Sequence, residues 1–136
     1  MSRSIADRPT IHLIDTEQAR LLDLARAMRS RQAEISELLQ EELERAEVHD
    51  AASLPPGVVS MHSTVEFLDE SNGTSRTVQL VYPHEADIAA GRISVLTPIG
   101  AGLIGLSEGQ SILWPNRAGQ ERQLRIIKVT RATGAV

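Results

Sequence analysis

The chain of 136 residues contains no cysteine, which excludes disulfides, thiolate nucleophiles and cysteine-ligated zinc. It has only one Phe, one Tyr and one Trp, so its core must be built from aliphatic side chains. The formal net charge of −4 offers no basic excess for a phosphate backbone, and we expect no direct sequence-specific nucleic-acid binding. No apolar run reaches the roughly 7–15 residues of a secretory signal or the about 20 of a membrane span, which favours a cytoplasmic protein without membrane contact.

Two runs of helical periodicity follow an extended arm at residues 1–15. The first run starts at a capping residue, Asp15 or Thr16, and the second lies beyond an interruption without Gly or Pro. We predict an antiparallel helical hairpin, a short coiled coil, within residues 1–48; one continuous helix is the alternative. The interruption forms the predicted tip: Arg29, Ser30, Arg31 and Gln32. The outer face of the second run is acidic and is predicted to be solvated: Glu34, Glu37, Glu41, Glu42, Glu44 and Glu47.

A proline- and glycine-containing linker at residues 49–57 separates this hairpin from a C-terminal domain at residues 58–136. Beyond it the apolar period changes from 3.6 to 2, with hairpin turns at Asn72-Gly73 and at "NRAG", residues 116–119. The pattern predicts an α+β fold in which a short helix after Pro98 packs across a small antiparallel sheet. Its five strands contain Val65 and Phe67, Val78 to Tyr82, Ile93 and Val95, Ile112 and Trp114, and Leu124 and Ile126.

The stretch "PIGAGLIGLSEG", residues 98–109, matches two enzyme signatures. Gly100, Gly102 and Gly105 spell the dinucleotide fingerprint, but the segment after them becomes strand too soon for a βαβ crossover. Gly105, Ser107 and Gly109 spell the nucleophile elbow of serine hydrolases, but no histidine follows Ser107 to complete a triad in that order. We interpret the glycines as structural, allowing a close helix and turns with positive φ.

The histidines give no metal signature, because none is paired at i, i+4 and none has a carboxylate at ligand spacing. We therefore interpret them as isolated side chains: His12, His49, His62 and His84. Glu85 and Asp87 are interpreted as charges in the first turn of a short helix rather than as catalytic acids. We expect no metal site, no catalytic residue and no cofactor.

The run from "TVQLVYPHEAD" through "GRISV" to "TPIGAGLIG" resembles the C-terminal domain of the Gre family of bacterial transcription factors. "DRPTIHLID", "ELERAEV" and "LPPGVVSMHSTVEF" extend this resemblance over nearly the whole chain. The resemblance implies an FKBP-like C-terminal domain that binds RNA polymerase near the rim of its secondary channel. The matching docking residues are Leu96, Thr97, Pro98 and Ile99, where Gre cleavage factors commonly have Asp in place of Leu96. A strand end with a helix-starting proline is the alternative for this loop.

Gre cleavage factors carry paired carboxylates at the hairpin tip, which hold a metal ion in the polymerase active site. The tip at residues 29–32 has no carboxylate, so we expect a non-enzymatic regulator that competes with Gre-type factors without stimulating transcript cleavage. Two interpretations of the tip remain open. In one, its arginines contact acidic polymerase surface or RNA phosphate; in the other, the tip is a solvated turn. The alternatives are weak cleavage stimulation, with Glu34 as the candidate carboxylate, and residual prolyl isomerase activity. We expect a monomer, with self-association through the hairpin as the alternative.

Overall fold

The computed structural model describes residues 10–115 and 121–131. The first part is a helical hairpin between two short strands: β1 (His12–Ile14), α1 (Asp15–Ala27), α2 (Ala33–Arg45) and β2 (Glu47–His49). The helices run antiparallel, because Gln18 donates to the carbonyl of Leu43 while Ser36 donates to the carbonyl of Ala25. The predicted hairpin is confirmed, and the alternative of one continuous helix is wrong.

The start of α1 differs from the prediction. The N-cap position is Ile14, which makes no side-chain cap, because β1 runs directly into the helix. Asp15 lies inside the first turn, where its carboxylate accepts from the N–H of Thr16. Asp15 and Glu17 place negative charge at the positive end of the helix dipole, which is the favourable arrangement.

The acidic residues of the second run do not all share one solvated helix face. Glu42 is fully buried, and its carboxylate is paired with the guanidinium of Arg45 at 2.7 Å. A buried carboxylate requires such a partner, since its desolvation is otherwise costly. Glu47 lies in β2 rather than in the helix. The prediction of a solvated side chain is therefore wrong at Glu42, whereas Glu47 is exposed but lies outside the helix. The remaining four are exposed on the helix: Glu34, Glu37, Glu41 and Glu44.

The second part is a five-stranded sheet with one short α-helix: β3 (Thr64–Asp69), β4 (Thr74–Val81), β5 (Arg92–Ser94), α3 (Pro98–Leu103), β6 (Ser111–Pro115) and β7 (Glu121–Thr130). The strand order is β5-β4-β3-β7-β6. All pairs are antiparallel except β4 and β5, so the prediction of a purely antiparallel sheet is wrong at this edge. Two 3₁₀ turns, Pro83–Glu85 and Ile88–Ala90, return the chain so that β5 enters parallel to β4.

The turn between β3 and β4 is confirmed. Gly73 has φ +72°, a left-handed conformation that glycine adopts without a steric cost. Its N–H donates to the carbonyl of Asp69, and the side chain of Asn72 accepts from the N–H of Thr74. The other predicted turn, residues 116–119, lies outside the described residues, as do residues 1–9 of the predicted arm.

One aliphatic core joins the hairpin to the sheet. Leu21 and Leu39 of the helices belong to the same buried cluster as Phe67, Leu80 and Leu103. The buried stripe of the hairpin is therefore covered by the C-terminal part of the chain, and α2 packs directly against α3. Within the described ranges, no helix has the length and hydropathy needed to cross a membrane.

Candidate functional site

The predicted docking loop is held in place by hydrogen bonds within its own backbone and side chains. The hydroxyl of Thr97 donates to the carbonyl of Ser94 at 2.8 Å and accepts from the N–H of Gly100 at 3.1 Å, which caps α3. The N–H of Leu96 donates to the hydroxyl of Ser94 at 3.0 Å. A short polar side chain at the cap position satisfies a backbone donor that the helix leaves unpaired. The loop is thus held by hydrogen bonds within the chain itself.

The side chains of the predicted docking residues differ in their exposure to solvent. Leu96 is 6% exposed and contributes to the core, so it positions the loop from below. Thr97 and Ile99 are half-buried, and Ile99 packs against the edge of the core. The side chain of Pro98 lies outside what the structure describes. Thr97 and Ile99 are therefore the two described side chains of the loop that a partner can reach.

Gly100 explains why the loop and the helix lie so close together. A Cβ atom built on Gly100 would lie 2.2 Å from the carbonyl oxygen of Ser94 and 2.9 Å from the Cα of Val95. No other residue fits there without moving the backbone. The predicted structural role of the glycines is confirmed here and at Gly105 and Gly109, which have φ +83° and +85°.

The hairpin tip is a solvent-exposed turn. The N–H groups of Arg31 and Gln32 both donate to the carbonyl of Met28, which closes the turn after α1. Residues 29–32 are all exposed, and no side-chain ion pair of Arg29 or Arg31 occurs among the described residues. The nearest carboxylate along the chain is that of Glu34, which is exposed in the first turn of α2. The tip thus presents positive charge and hydroxyl and amide groups.

A polar cluster lies where α1 meets the end of β4. The side chain of Glu17 accepts from the N–H of Met61 at 3.1 Å. Burial raises the pKa of the Glu17 carboxyl, and the hydrogen bond from Met61 and the nearby charge of His62 oppose that shift. The guanidinium of Arg20 lies 5.5 Å from the ring centroid of Tyr82, a cation–π distance. These contacts attach α1 to the sheet through polar groups as well as through the core.

His62 belongs to the same cluster and has an unusual backbone. Its φ is +68°, a conformation that costs a non-glycine residue about 1–2 kcal/mol. Its N–H donates to the carbonyl of Leu80, and its Nε2 lies 2.8 Å from the carboxylate of Glu85. That oxygen of Glu85 also accepts from the N–H of Tyr82, and both hydrogen bonds lower the pKa of the Glu85 carboxyl. The interpretation of His62 as an isolated side chain is therefore wrong, because Glu85 is its partner. The prediction that Glu85 is a charge in the first turn of a short helix is confirmed.

Sequence reasoning missed one further cluster. His12 and His49, interpreted above as isolated, lie against each other and beside Glu47 on β1 and β2. The sequence contained one signal, a Glu and a His two residues apart at 47 and 49, but it offered nothing to connect them with His12.

Ser107 does not have the surroundings of a nucleophile. It lies beyond the end of α3, in a backbone bridge with Val58, and its N–H donates to the side chain of Gln110. The strand-to-helix elbow that exposes a catalytic serine is absent at this position. Gly105, shared by both enzyme signatures, lies against Ile11 and the carbonyl of His12. The glycine-rich stretch therefore provides close packing for β1 and α3.

The fold consists of a helical hairpin joined through one core to an α+β domain. The family model "Transcription elongation factor, GreA/GreB, C-term" matches residues 54–131. The chain belongs to the GreA/GreB family. A regulator of nucleoside diphosphate kinase from Escherichia coli (strain K12) is 34% identical over 122 residues, which cover 90% of each chain.

Other members of the family are also similar to this chain in sequence or in structure. The transcription elongation factor GreA of Rhodospirillum rubrum is 47% identical over 74 residues, 54% of this chain and 47% of that protein. A solved structure of a prokaryotic transcription elongation factor GreA/GreB from Nitrosomonas europaea superposes with a TM-score of 0.70 at 37% identity. That match covers 90% of this chain and 99% of the other, so the hairpin and the sheet are both included.

Proposed function

We propose that this protein is a non-enzymatic regulator of transcription that binds RNA polymerase at the rim of its secondary channel. The relatives named as elongation factors support the partner, and the ordered loop at residues 96–99 supports the docking surface. The protein competes with Gre-type factors for that rim and leaves the chemistry of the polymerase active site unstimulated.

The composition of the hairpin tip is the observation that carries this proposal. Assistance with a catalytic Mg²⁺ requires oxygen ligands, above all carboxylates, at the point that enters the active site. The exposed turn at residues 29–32 instead presents two arginines. Each helix of the hairpin has 13 residues and so extends only about 20 Å at ~1.5 Å per residue.

Prolyl isomerase activity has less support. An isomerase pocket holds the proline ring with aromatic side chains, and Phe67 is 1% exposed within the core. Tyr82 is also buried, with Arg20 over its ring.

The first test is retention of purified RNA polymerase by the full-length protein, with and without an excess of a Gre cleavage factor. The full chain is required, because the core joins the hairpin to the sheet. We expect retention that the competitor abolishes. Ile99→Asp should weaken binding by at least about tenfold, the size expected for a central interface residue. The double variant Arg29→Ala, Arg31→Ala should still bind.

Arg76→Ala is the matched control, since Arg76 is an exposed arginine on β4. Retention that is unaffected by excess competitor would contradict the assignment to the channel rim. A transcript-cleavage assay on stalled complexes separates the alternative: we expect no stimulation. Stimulation that Glu34→Gln removes would establish a weak cleavage factor instead.

A further inference from the structure

Two imidazoles and a carboxylate meet at the base of the hairpin. Nδ1 of His12 lies 3.0 Å from Nε2 of His49 and 3.5 Å from Oε1 of Glu47. Nε2 of His49 lies 4.0 Å from that same carboxylate oxygen. The two histidine side chains are 21% and 22% exposed, and that of Glu47 is 63% exposed. The three groups therefore converge in a place that solvent and dissolved ions can reach.

The parallel pairing of β1 and β2 produces this convergence. The register places His12 beside Glu47 and Ile14 beside His49. Residues 47 and 49 share one face of β2, because side chains alternate along a strand, and His12 lies on that face of β1. The intervening Leu13 is directed into the core, where it is 2% exposed. The alternation thus places Leu13 on the face opposite to His12, Glu47 and His49.

The backbone of β1 is itself anchored to the C-terminal part of the chain. The N–H of His12 donates to the carbonyl of Gly105 at 3.0 Å, and the N–H of Glu47 donates to the carbonyl of Ile11 at 2.9 Å. A Cβ atom on Gly105 would lie 2.8 Å from the Cβ of Ile11, so the glycine permits this close approach. The position of His12 is therefore determined by packing on both sides of the strand.

We propose that His12, Glu47 and His49 bind a divalent transition-metal ion of the zinc type. Imidazole nitrogen and carboxylate oxygen are ligands that Zn²⁺ accepts, and three protein ligands leave a fourth position for water. Two ligand atoms about 2.0–2.1 Å from a tetrahedral ion lie about 3.3 Å from each other. The observed separations of 3.0, 3.5 and 4.0 Å lie on both sides of this value. Glu47 is the most exposed of the three side chains, and its rotation brings the two separations that involve its carboxylate closer to this value.

Metal binding requires both facing nitrogens to be free of protons. In the hydrogen bond between His12 and His49 one ring donates and the other accepts. The donating ring moves its proton to its other nitrogen and remains neutral, since a neutral imidazole carries its proton on either atom. The exchange therefore replaces one hydrogen bond by three metal–ligand bonds without a change in the charge of the rings.

A metal ion at this site would join the two ends of the hairpin. α1 follows directly on β1, and α2 reaches β2 through Ala46 alone. The ion would cross-link two strands that are each three residues long. This consequence does not depend on the proposed binding to polymerase.

The test is titration of the full-length protein, free of any histidine tag, with Co²⁺ followed by absorption and with Zn²⁺ by calorimetry. We expect one ion per chain, with the visible bands of Co²⁺ removed by Zn²⁺. His12→Ala and His49→Ala should each lower the affinity by at least about tenfold, since even outer-shell changes cost 10–100-fold. Glu47→Gln, which keeps the size of the side chain, should also weaken binding and alter the Co²⁺ spectrum.

His84→Ala is the matched control, because His84 is an exposed histidine outside the cluster. Circular dichroism of each variant establishes that the fold is retained. Unchanged affinity in His84→Ala together with losses in the cluster variants would support the site. No binding by the unmodified protein, or equal losses in His84→Ala and His12→Ala, would overturn it. An unchanged Co²⁺ spectrum in Glu47→Gln would overturn the three-residue site.

Discussion

Gly100→Ala tests how the loop at residues 96–99 is positioned. The new methyl group would lie 2.2 Å from the carbonyl oxygen of Ser94, whereas a Cβ atom makes ordinary van der Waals contacts at 3.4–4 Å. The loop or α3 must therefore move by about 1 Å. Overpacking of this kind costs roughly 1–3 kcal/mol, and the greater helix propensity of Ala returns up to about 1 kcal/mol. We expect a net loss of stability of about 1–2 kcal/mol.

Such a loss corresponds to a fall in the thermal midpoint of roughly 4–8 °C for a chain of this size. Calorimetry and urea denaturation measure it, and polymerase retention below the midpoint reports whether the loop has been displaced. Gly73→Ala is the control: its φ of +72° introduces strain, but a Cβ there meets no atom within 4 Å. We expect that variant to lose up to about 1–2 kcal/mol and to keep its binding. A Gly100→Ala protein as stable as the original would refute the argument from close approach.

Two further predictions concern stability. Because burial raises the pKa of Glu17, its ionisation opposes folding. The contribution of Glu17 to stability therefore falls as pH rises from the ordinary value of 4.5 through its raised pKa in the folded state. In Glu17→Gln the denaturation midpoint should vary less with pH between pH 4 and pH 7 than in the original protein. An unchanged slope of midpoint against pH would contradict this account. Leu39→Ala, at a fully buried position of α2, should cost about 2–5 kcal/mol by urea denaturation. Leu38→Ala, at a partly buried neighbour, should cost less, and equal losses would show that the core boundary is misplaced.

The helices and most of the sheet follow from apolar periodicity, because each element buries one face. Apolar residues at helical spacing predicted the hairpin, among them Leu21 in the first run and Leu39 and Leu43 in the second. Alternation at Val65 and Phe67 predicted β3. The direction of β5 did not follow. Three residues cannot specify an orientation by their own pattern, and the two preceding 3₁₀ turns determine it instead.

The docking loop shows a second limit of sequence reasoning. A resemblance identifies Leu96 as a position in a motif, but it does not tell which way the side chain points. Val95 and Leu96 are both buried because the chain leaves the strand and turns towards α3, which ends the alternation at that point. Burial at the end of an element depends on packing that no local pattern encodes.

The histidine cluster depends on the length and closure of the whole hairpin. His12 and His49 are 37 residues apart, and they meet because two antiparallel helices of 13 residues each return the chain to its starting level. Helix reversal alone would leave β1 and β2 antiparallel. Their parallel pairing requires further changes of direction at the junctions of strand and helix, where Ile14 and Ala46 both have extended backbone. A change in either helix length by one residue would rotate β2 by about 100° and separate Glu47 and His49 from His12. The cluster is therefore a consequence of hairpin geometry, and the sequence shows only the two-residue spacing of Glu47 and His49, with nothing that connects them to His12.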